Sequence, residues 1–257
     1  MVRGLMNMIV TSMIFFPEKT FNEKPEDYHF VYEDVRLETS DHVRLHGWFF
    51  KAPAEKEAIL FFHGNAGNIS GRLFKAKGWI ERGYSVFLVD YRGYGKSEGK
   101  IEAEADLYRD AEAALEWLTG TKKVSPSRII LYGESLGSAA AVKLGMEIPV
   151  GAVVLEAAFT SFLDLARTHY PFVPEMFLKD FEFSNLDRIA ELKAPLFILH
   201  GARDEICPYA MSGKLFEKAP EPKGFLSVPS GMHNDLPFAA GEDFWQKPAE
   251  FLQKHLG

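Results

Sequence analysis

The sequence predicts an α/β fold with a mainly parallel central sheet, and three observations carry that prediction. Apolar runs of strand length recur along the chain, helical patterns lie between them, and turn residues mark the junctions. The first two strands, "FVYEDVRLET" and "HVRLHGWFFKA", alternate in polarity around a turn at Ser40 and Asp41, as an antiparallel hairpin would. The next six, "AILFFHG", "YSVFLVDYRG", "RIILYGE", "GAVVLEAAF", "PLFILHG" and "KGFLSVPSG", are continuously apolar, as strands covered on both faces must be. Helical patterns follow at "SGRLFKAKGWIERG", "EADLYRDAEAALEWLTG", "LGSAAAVKLGMEI", "PYAMSGKLFEKAP" and "EDFWQKPAEFLQKHLG". At 257 residues the chain reads as one α/β domain over residues 26–257, preceded by an apolar segment over residues 1–25.

Charge and cysteine content narrow the partners. Lys and Arg number 29 against 36 Asp and Glu, a net charge of −7 without any basic block, which excludes the footprint of a nucleic-acid binder. The one cysteine, Cys207, cannot form an intramolecular disulfide, so the expected location is the cytoplasm or the inner membrane surface. The stretch from Leu5 to Phe16 is apolar but shorter than the ~20 residues that span a bilayer. Drawn as a helix, it has a narrow polar stripe of Arg3, Asn7 and Thr11. Residues 1–17 are read as a membrane-surface anchor. Packing on the domain or on a second subunit, and a signal or truncated anchor, remain the alternatives. On the anchor reading, deleting residues 1–17 leaves hydrolysis of a soluble ester intact.

The chemistry centres on "GESLG", residues 133–137, where a strand meets a small-residue helix. Gly133 and Gly137 leave room for a tight turn that lifts Ser135 above the sheet, and the following helix aims its free amides at the same place. A serine hydroxyl needs a base and a group to orient that base. Of eight histidines, His29, His42, His46, His169 and His255 are expected at surface or cap positions, and His63 and His200 are read as structural. His233 stands in a glycine-containing loop after the last strand and is the candidate base. Asp204, past the end of "PLFILHG", is the candidate acid, ahead of Glu205 and Glu156; the order Ser135, Asp204, His233 suits this topology. The glycine-rich "FFHGNAGN" supplies an oxyanion hole from the amides of Asn65 and Leu136. No P-loop, H-E-x-x-H, C-x-x-C or G-x-G-x-x-G stands in the required context, so neither a metal nor a cofactor is expected.

Together HGNAGN, "DYRGYGKSEG", GESLG, "HGARDEICP" and "GMHND" resemble the α/β-hydrolase superfamily, and within it the small serine hydrolases of the depalmitoylase-like group. The resemblance covers about residues 28–257. It implies an eight-stranded sheet with the second strand antiparallel, a Ser135–Asp204–His233 triad, and cleavage of esters or thioesters through an acyl-enzyme. Residues 159–190 form a small insert rich in aromatic residues, and Phe162, Tyr170, Phe172 and Phe177 are candidate contacts for an apolar acyl group on a small or lipid-like substrate. A peptidase of the same fold and a non-catalytic scaffold are the alternatives. The peptidase lacks an obvious acidic cluster near the triad, and the scaffold is disfavoured because all three triad residues are present.

Overall fold

The structure, a computed structural model, describes residues 14–53, 57–169 and 178–256. Eight strands form one sheet: β1 (Glu33–Glu38), β2 (Arg44–Phe50), β3 (Ala58–Phe62), β4 (Ser85–Asp90), β5 (Ile129–Glu134), β6 (Ala152–Glu156), β7 (Leu196–Gly201) and β8 (Lys223–Val228). Their order across the sheet is β1-β2-β4-β3-β5-β6-β7-β8. The hairpin β1–β2 and the pair β2–β4 are antiparallel, and every other pair is parallel. The fold class and the antiparallel second strand match the sequence expectation.

The longer helices among the described residues are α1 (Leu73–Glu81), α2 (Glu104–Glu116), α3 (Gly137–Glu147), α4 (Phe162–His169), α5 (Tyr209–Lys218) and α6 (Asp243–Leu256). The pleat sends alternate side chains of each inner strand to opposite layers. Leu60, Phe62, Leu131, Val153 and Ile198 enter one apolar layer with the small residues of α3, while Ile59, Phe61, Ile130, Tyr132 and Val154 enter the other with Trp79, Phe244 and Trp245. Burying each such phenylalanine contributes ~1.5–3 kcal/mol, and Phe61 stacks on Tyr132 at 4.5 Å between centroids. This explains the uninterrupted apolar runs: both faces of these strands are dry.

The "DYRGYGKSEG" stretch has a structural task. Arg92 reaches Asp41 in the β1–β2 turn at 2.8 Å and Asp110 of α2 at 2.8 Å, clamping the hairpin to the helix layer. Burial raises the Asp110 carboxyl to about 6 despite Arg92. Asp90 accepts from the Ile69 amide at 2.9 Å and so holds the start of the segment that leads into α1.

One sequence expectation fails here. His46 is not at the surface but fully buried, its Nε2 2.5 Å from Asp34, because its strand is an inner one and its register sets it across from Asp90. His63 is also buried, as a structural histidine should be, with Nδ1 donating to the Gly64 carbonyl at 2.7 Å.

Burial, helped by the Arg72 charge, pushes the His63 imidazole from 6.5 down to about 4. The unfolded chain therefore binds a proton near 6.5 that the folded chain refuses until about 4. His63 thus removes stability as pH falls through this window, by up to ~1.4 kcal/mol per pH unit. Urea unfolding of wild type and His63→Asn across that window measures this: the variant's pH slope should be shallower by about one proton, and equal slopes would refute it.

Candidate active site

Three adjacencies in the sheet build the site. Strands β3 and β5 are neighbours, with Phe62 level with Gly133, so the loop after β3 and the turn after β5 leave the same edge together. Strands β7 and β8 are neighbours with Gly201 level with Val228, which brings the loops carrying Asp204 and His233 together. Strand β6 lies between the two pairs, and its Glu156 carbonyl accepts from the Ser135 amide at 2.8 Å.

Ser135 has φ +50°, a left-handed conformation that non-glycine residues rarely adopt. Space sets the glycines on either side. A Cβ on Gly137 would lie 2.0 Å from the Phe62 carbonyl oxygen, and one on Gly133 would lie 2.6 Å from the Gly137 carbonyl oxygen. The chain can make this elbow only with bare backbone at both positions. Helix α3 begins immediately after it, so the amides of its first turn point back at the serine.

Asp204 Oδ2 is 2.8 Å from His233 Nδ1. The same oxygen lies 3.1 Å from His200 Nε2, while Oδ1 accepts from the amides of Ile206 at 2.8 Å and Cys207 at 2.7 Å. Burial opposes ionisation of this carboxyl, but the hydrogen bonds from His200 and His233 outweigh it and hold Asp204 well below the usual carboxylate range. The rival acids make other contacts: Glu156 is bound to Lys75 at 2.7 Å and to the Tyr132 hydroxyl at 2.7 Å, and the Glu205 carboxylate accepts from the His233 amide at 3.4 Å. Cys207 is buried, and that burial pushes its thiol up, away from thiolate chemistry.

Ser135 and His233 open onto one cavity of about 220 Å³, and Asn65 and Leu136 line it as well. The amides of Asn65 and Leu136 donate to no other backbone carbonyl among the described residues. Glu134 and Arg72, which sequence reasoning missed, complete the polar wall: Arg72 Nη2 is 3.0 Å from Glu134 Oε1, and Arg72 Nη1 donates to the Ala66 carbonyl at 2.9 Å. Arg72 thereby ties the glycine-rich loop to the elbow. Burial opposes the Glu134 charge, yet Arg72 and Lys75 hold its carboxyl well below the usual range. A motif scan cannot find this pair, because 62 residues separate its members.

The apolar wall comes from Ile14, Phe16, Phe159, Phe162, Leu165 and Ile206. Phe162 is where the sequence expects it; Tyr170, Phe172 and Phe177 lie outside the described residues. The insert's other aromatics do not face substrate space, since Phe181 and Phe183 are buried against Phe15 at 5.5 and 6.5 Å. Two expectations about the amino terminus are corrected. Phe16 is not helical but pairs as a short parallel strand, Phe16–Pro17 with Ala66–Gly67. Residues 14 and 16 belong to the cavity wall, so a deletion of residues 1–17 cuts into the site and cannot be expected to spare hydrolysis.

Comparison with known proteins agrees with this architecture. The family model for serine aminopeptidase, S33, matches residues 53–179. An uncharacterized protein of Mycobacterium tuberculosis is 42% identical over 204 residues, 79% of this chain and 72% of that one. The α/β hydrolase domain-containing protein WAV2 of Arabidopsis thaliana is 37% identical over 258 residues, covering 92% of this chain and 83% of its own length. Among solved structures, the esterase Pf2001 of Pyrococcus furiosus superposes with a TM-score of 0.77 at 25% identity, over 94% of this chain and 100% of that one. Relatives this similar over most of both lengths, on a sheet of this order, show that the chain belongs to the α/β-hydrolase family.

Proposed function

We propose that this chain is a serine hydrolase that cleaves carboxylic esters or thioesters of apolar acyl groups through an acyl-enzyme. The observation that carries this reading is the opening of Ser135 and His233 onto one cavity, with Asp204 2.8 Å behind the imidazole. An ionised Asp204 can only accept, so His233 Nδ1 carries the proton and Nε2 is free to act as base. As Ser135 Oγ attacks the acyl carbon, its proton passes to His233 Nε2, and the carbonyl becomes an oxyanion facing the amides of Asn65 and Leu136. Collapse expels the alcohol or thiol, which leaves with the proton from His233. Water, deprotonated by the same imidazole, then releases the acid and restores Ser135.

The cavity argues for the acyl group. Its wall is largely apolar, and at about 220 Å³ it lies below the ~300–1,000 Å³ typical of sites for drug-sized ligands, which suits a narrow chain. Thioesters of lipidated cysteines, the substrates of the depalmitoylase-like group, fit this description. The family model's description keeps an aminopeptidase as a second reading, with Glu134 as the one carboxylate at the cavity able to hold an amine. Against it, Arg72 and Lys75 already occupy that carboxylate, at 3.0 and 3.3 Å.

A membrane surface is the partner we infer for the amino-terminal residues. Among the described residues no helix is long and apolar enough to cross a membrane. Exposed apolar side chains stand at the cavity: Phe16 and Ile206 line it, and Met232 precedes His233. Exposed apolar surface of this kind favours an apolar neighbour.

Ser135→Ala should lower ester turnover by ~10⁴- to 10⁶-fold and abolish labelling by a fluorophosphonate, with the melting temperature unchanged. Near-normal turnover would refute the nucleophile assignment. Deleting residues 1–12, which stops short of the cavity wall, should reduce sedimentation with phosphatidylcholine vesicles and leave short-chain ester turnover in place. If the truncated protein sediments as the full chain does, the membrane reading fails.

A further inference from the structure

The segment from Ile14 to Thr20 is bound to the active-site loops far more firmly than a mere leader requires. Asn65 Nδ2 donates to the Ile14 carbonyl at 2.5 Å, and the Glu18 amide donates to the Gly67 carbonyl at 3.0 Å. Asn68 Nδ2 donates to the carbonyls of Glu18 at 3.0 Å and Thr20 at 2.8 Å. Lys19 Nζ reaches the Ser97 carbonyl at 2.9 Å. Asn65 is itself gripped from the other side, its carbonyl and its Oδ1 both accepting from the Tyr94 hydroxyl, at 2.8 and 3.0 Å.

The side chains of this strap point to different sides. Phe15 turns into the core against Phe181 and Phe183, whereas Ile14 and Phe16 face the cavity. Ile14 is 8% exposed and lies deep, while Phe16 is 55% exposed and sits at the lip together with Ile206. A lone exposed phenylalanine needs no explanation. One that lines the cavity on a backbone held by its neighbours is surface kept ready for an apolar ligand.

We propose that the strap Ile14–Pro17 is the wall that selects acyl-chain length, Ile14 setting the depth and Phe16 holding the distal part of the chain. The Asn65 carboxamide acts as a positioning group that holds this wall in register with its own oxyanion-hole amide. The inference rests on the serine hydrolase reading above. The substrate class it names is an ester or thioester whose acyl chain reaches past the buried floor to the lip.

The test is the length profile. n-Alkyl fluorophosphonates and p-nitrophenyl esters of increasing chain length are reacted with full-length wild type, Ile14→Ala, Phe16→Ala, Asn65→Asp and Ser135→Ala, with melting temperatures in parallel. Phe16→Ala should lose ~10-fold in kcat/KM on long chains and little on short ones, the discrimination that a hydrophobic pocket draws from about one methylene group. Ile14→Ala should shift the preferred length upward. Asn65→Asp, which removes the donor to the Ile14 carbonyl, should lower kcat across the series and flatten the length preference with the melting temperature unchanged, a combination that general loss of structure does not produce. Should Ile14→Ala fail to fold, the exposed Phe16 still decides. Superimposable profiles for wild type and Phe16→Ala, with wild type labelled and Ser135→Ala unlabelled, would overturn the wall and leave the hydrolase reading standing. A wild type that takes no label would overturn both.

Discussion

The contact on which the site depends is the close approach of the β5–α3 elbow to the end of β3. Gly137 has no room for a Cβ beneath the Phe62 carbonyl, and Ser135 takes a left-handed φ to keep the strand-to-helix turn this tight. Such a conformation costs about 1–2 kcal/mol in a non-glycine residue and persists only where its surroundings fix it. Here the bond from the Ser135 amide to the Glu156 carbonyl fixes it from the β6 side. A relaxed elbow would drop the hydroxyl toward the sheet and turn the first amides of α3 away from the cavity. The placement of the Ser135 hydroxyl and the direction of the first amides of α3 are therefore one local geometry, stabilised by neighbouring strands.

A buried cluster beside the elbow extends that control. Glu134 and Glu156 face Arg72 and Lys75, two carboxylates against two cations with little exposure. Buried ion pairs of this kind contribute little net stability against an apolar replacement, because desolvation consumes the Coulomb gain. Their value lies in direction. Arg72 spends Nε and Nη2 on Glu134 and Nη1 on the Ala66 and Asn68 carbonyls, so the elbow and the glycine-rich loop cannot drift apart without breaking a bidentate network. The balanced charges also keep Glu134 from presenting a free carboxylate to the cavity.

The sheet and the elbow were legible because both are written locally. Period and apolar continuity identify strands, and G-x-S-x-G needs only the strand before it and the helix after it. His233 and Asp204 follow from topology, since neighbouring parallel strands end at one edge. What stayed hidden depends on contacts between distant segments. Arg72 looks like any surface charge on a helical pattern until Glu134 arrives beside it. His46 reads as the polar face of a hairpin until Phe21, stacked on its ring at 5.5 Å, covers it. In the insert, Phe181 and Phe183 look like lid residues, yet Phe15, more than 160 residues earlier, draws them into the core. The strap was misread for the same reason: an apolar period between 3 and 4 residues describes the segment alone, whereas Ala66 and Asn65 decide what Phe16 and Ile14 do.

Asp204 shows how the same logic reaches the chemistry. Its carboxylate is buried, which alone would favour the protonated form and leave His233 with a neutral partner. Two amides on Oδ1 and two imidazoles at Oδ2 reverse that preference. His200 is the less obvious member. Its Nε2 faces only acceptors, Asp204 and the Cys207 carbonyl at 2.9 Å, so that nitrogen carries a proton and donates. This buried donor thus helps hold the Asp204 carboxyl well below the usual carboxylate range. Because a depressed carboxylate pKa favours the folded chain above its unfolded value and loses that advantage as pH falls, the arrangement that orients the His233 ring also stabilises the loop that carries Asp204. Orientation of His233 and order in the β7–β8 loops are consequences of one set of hydrogen bonds.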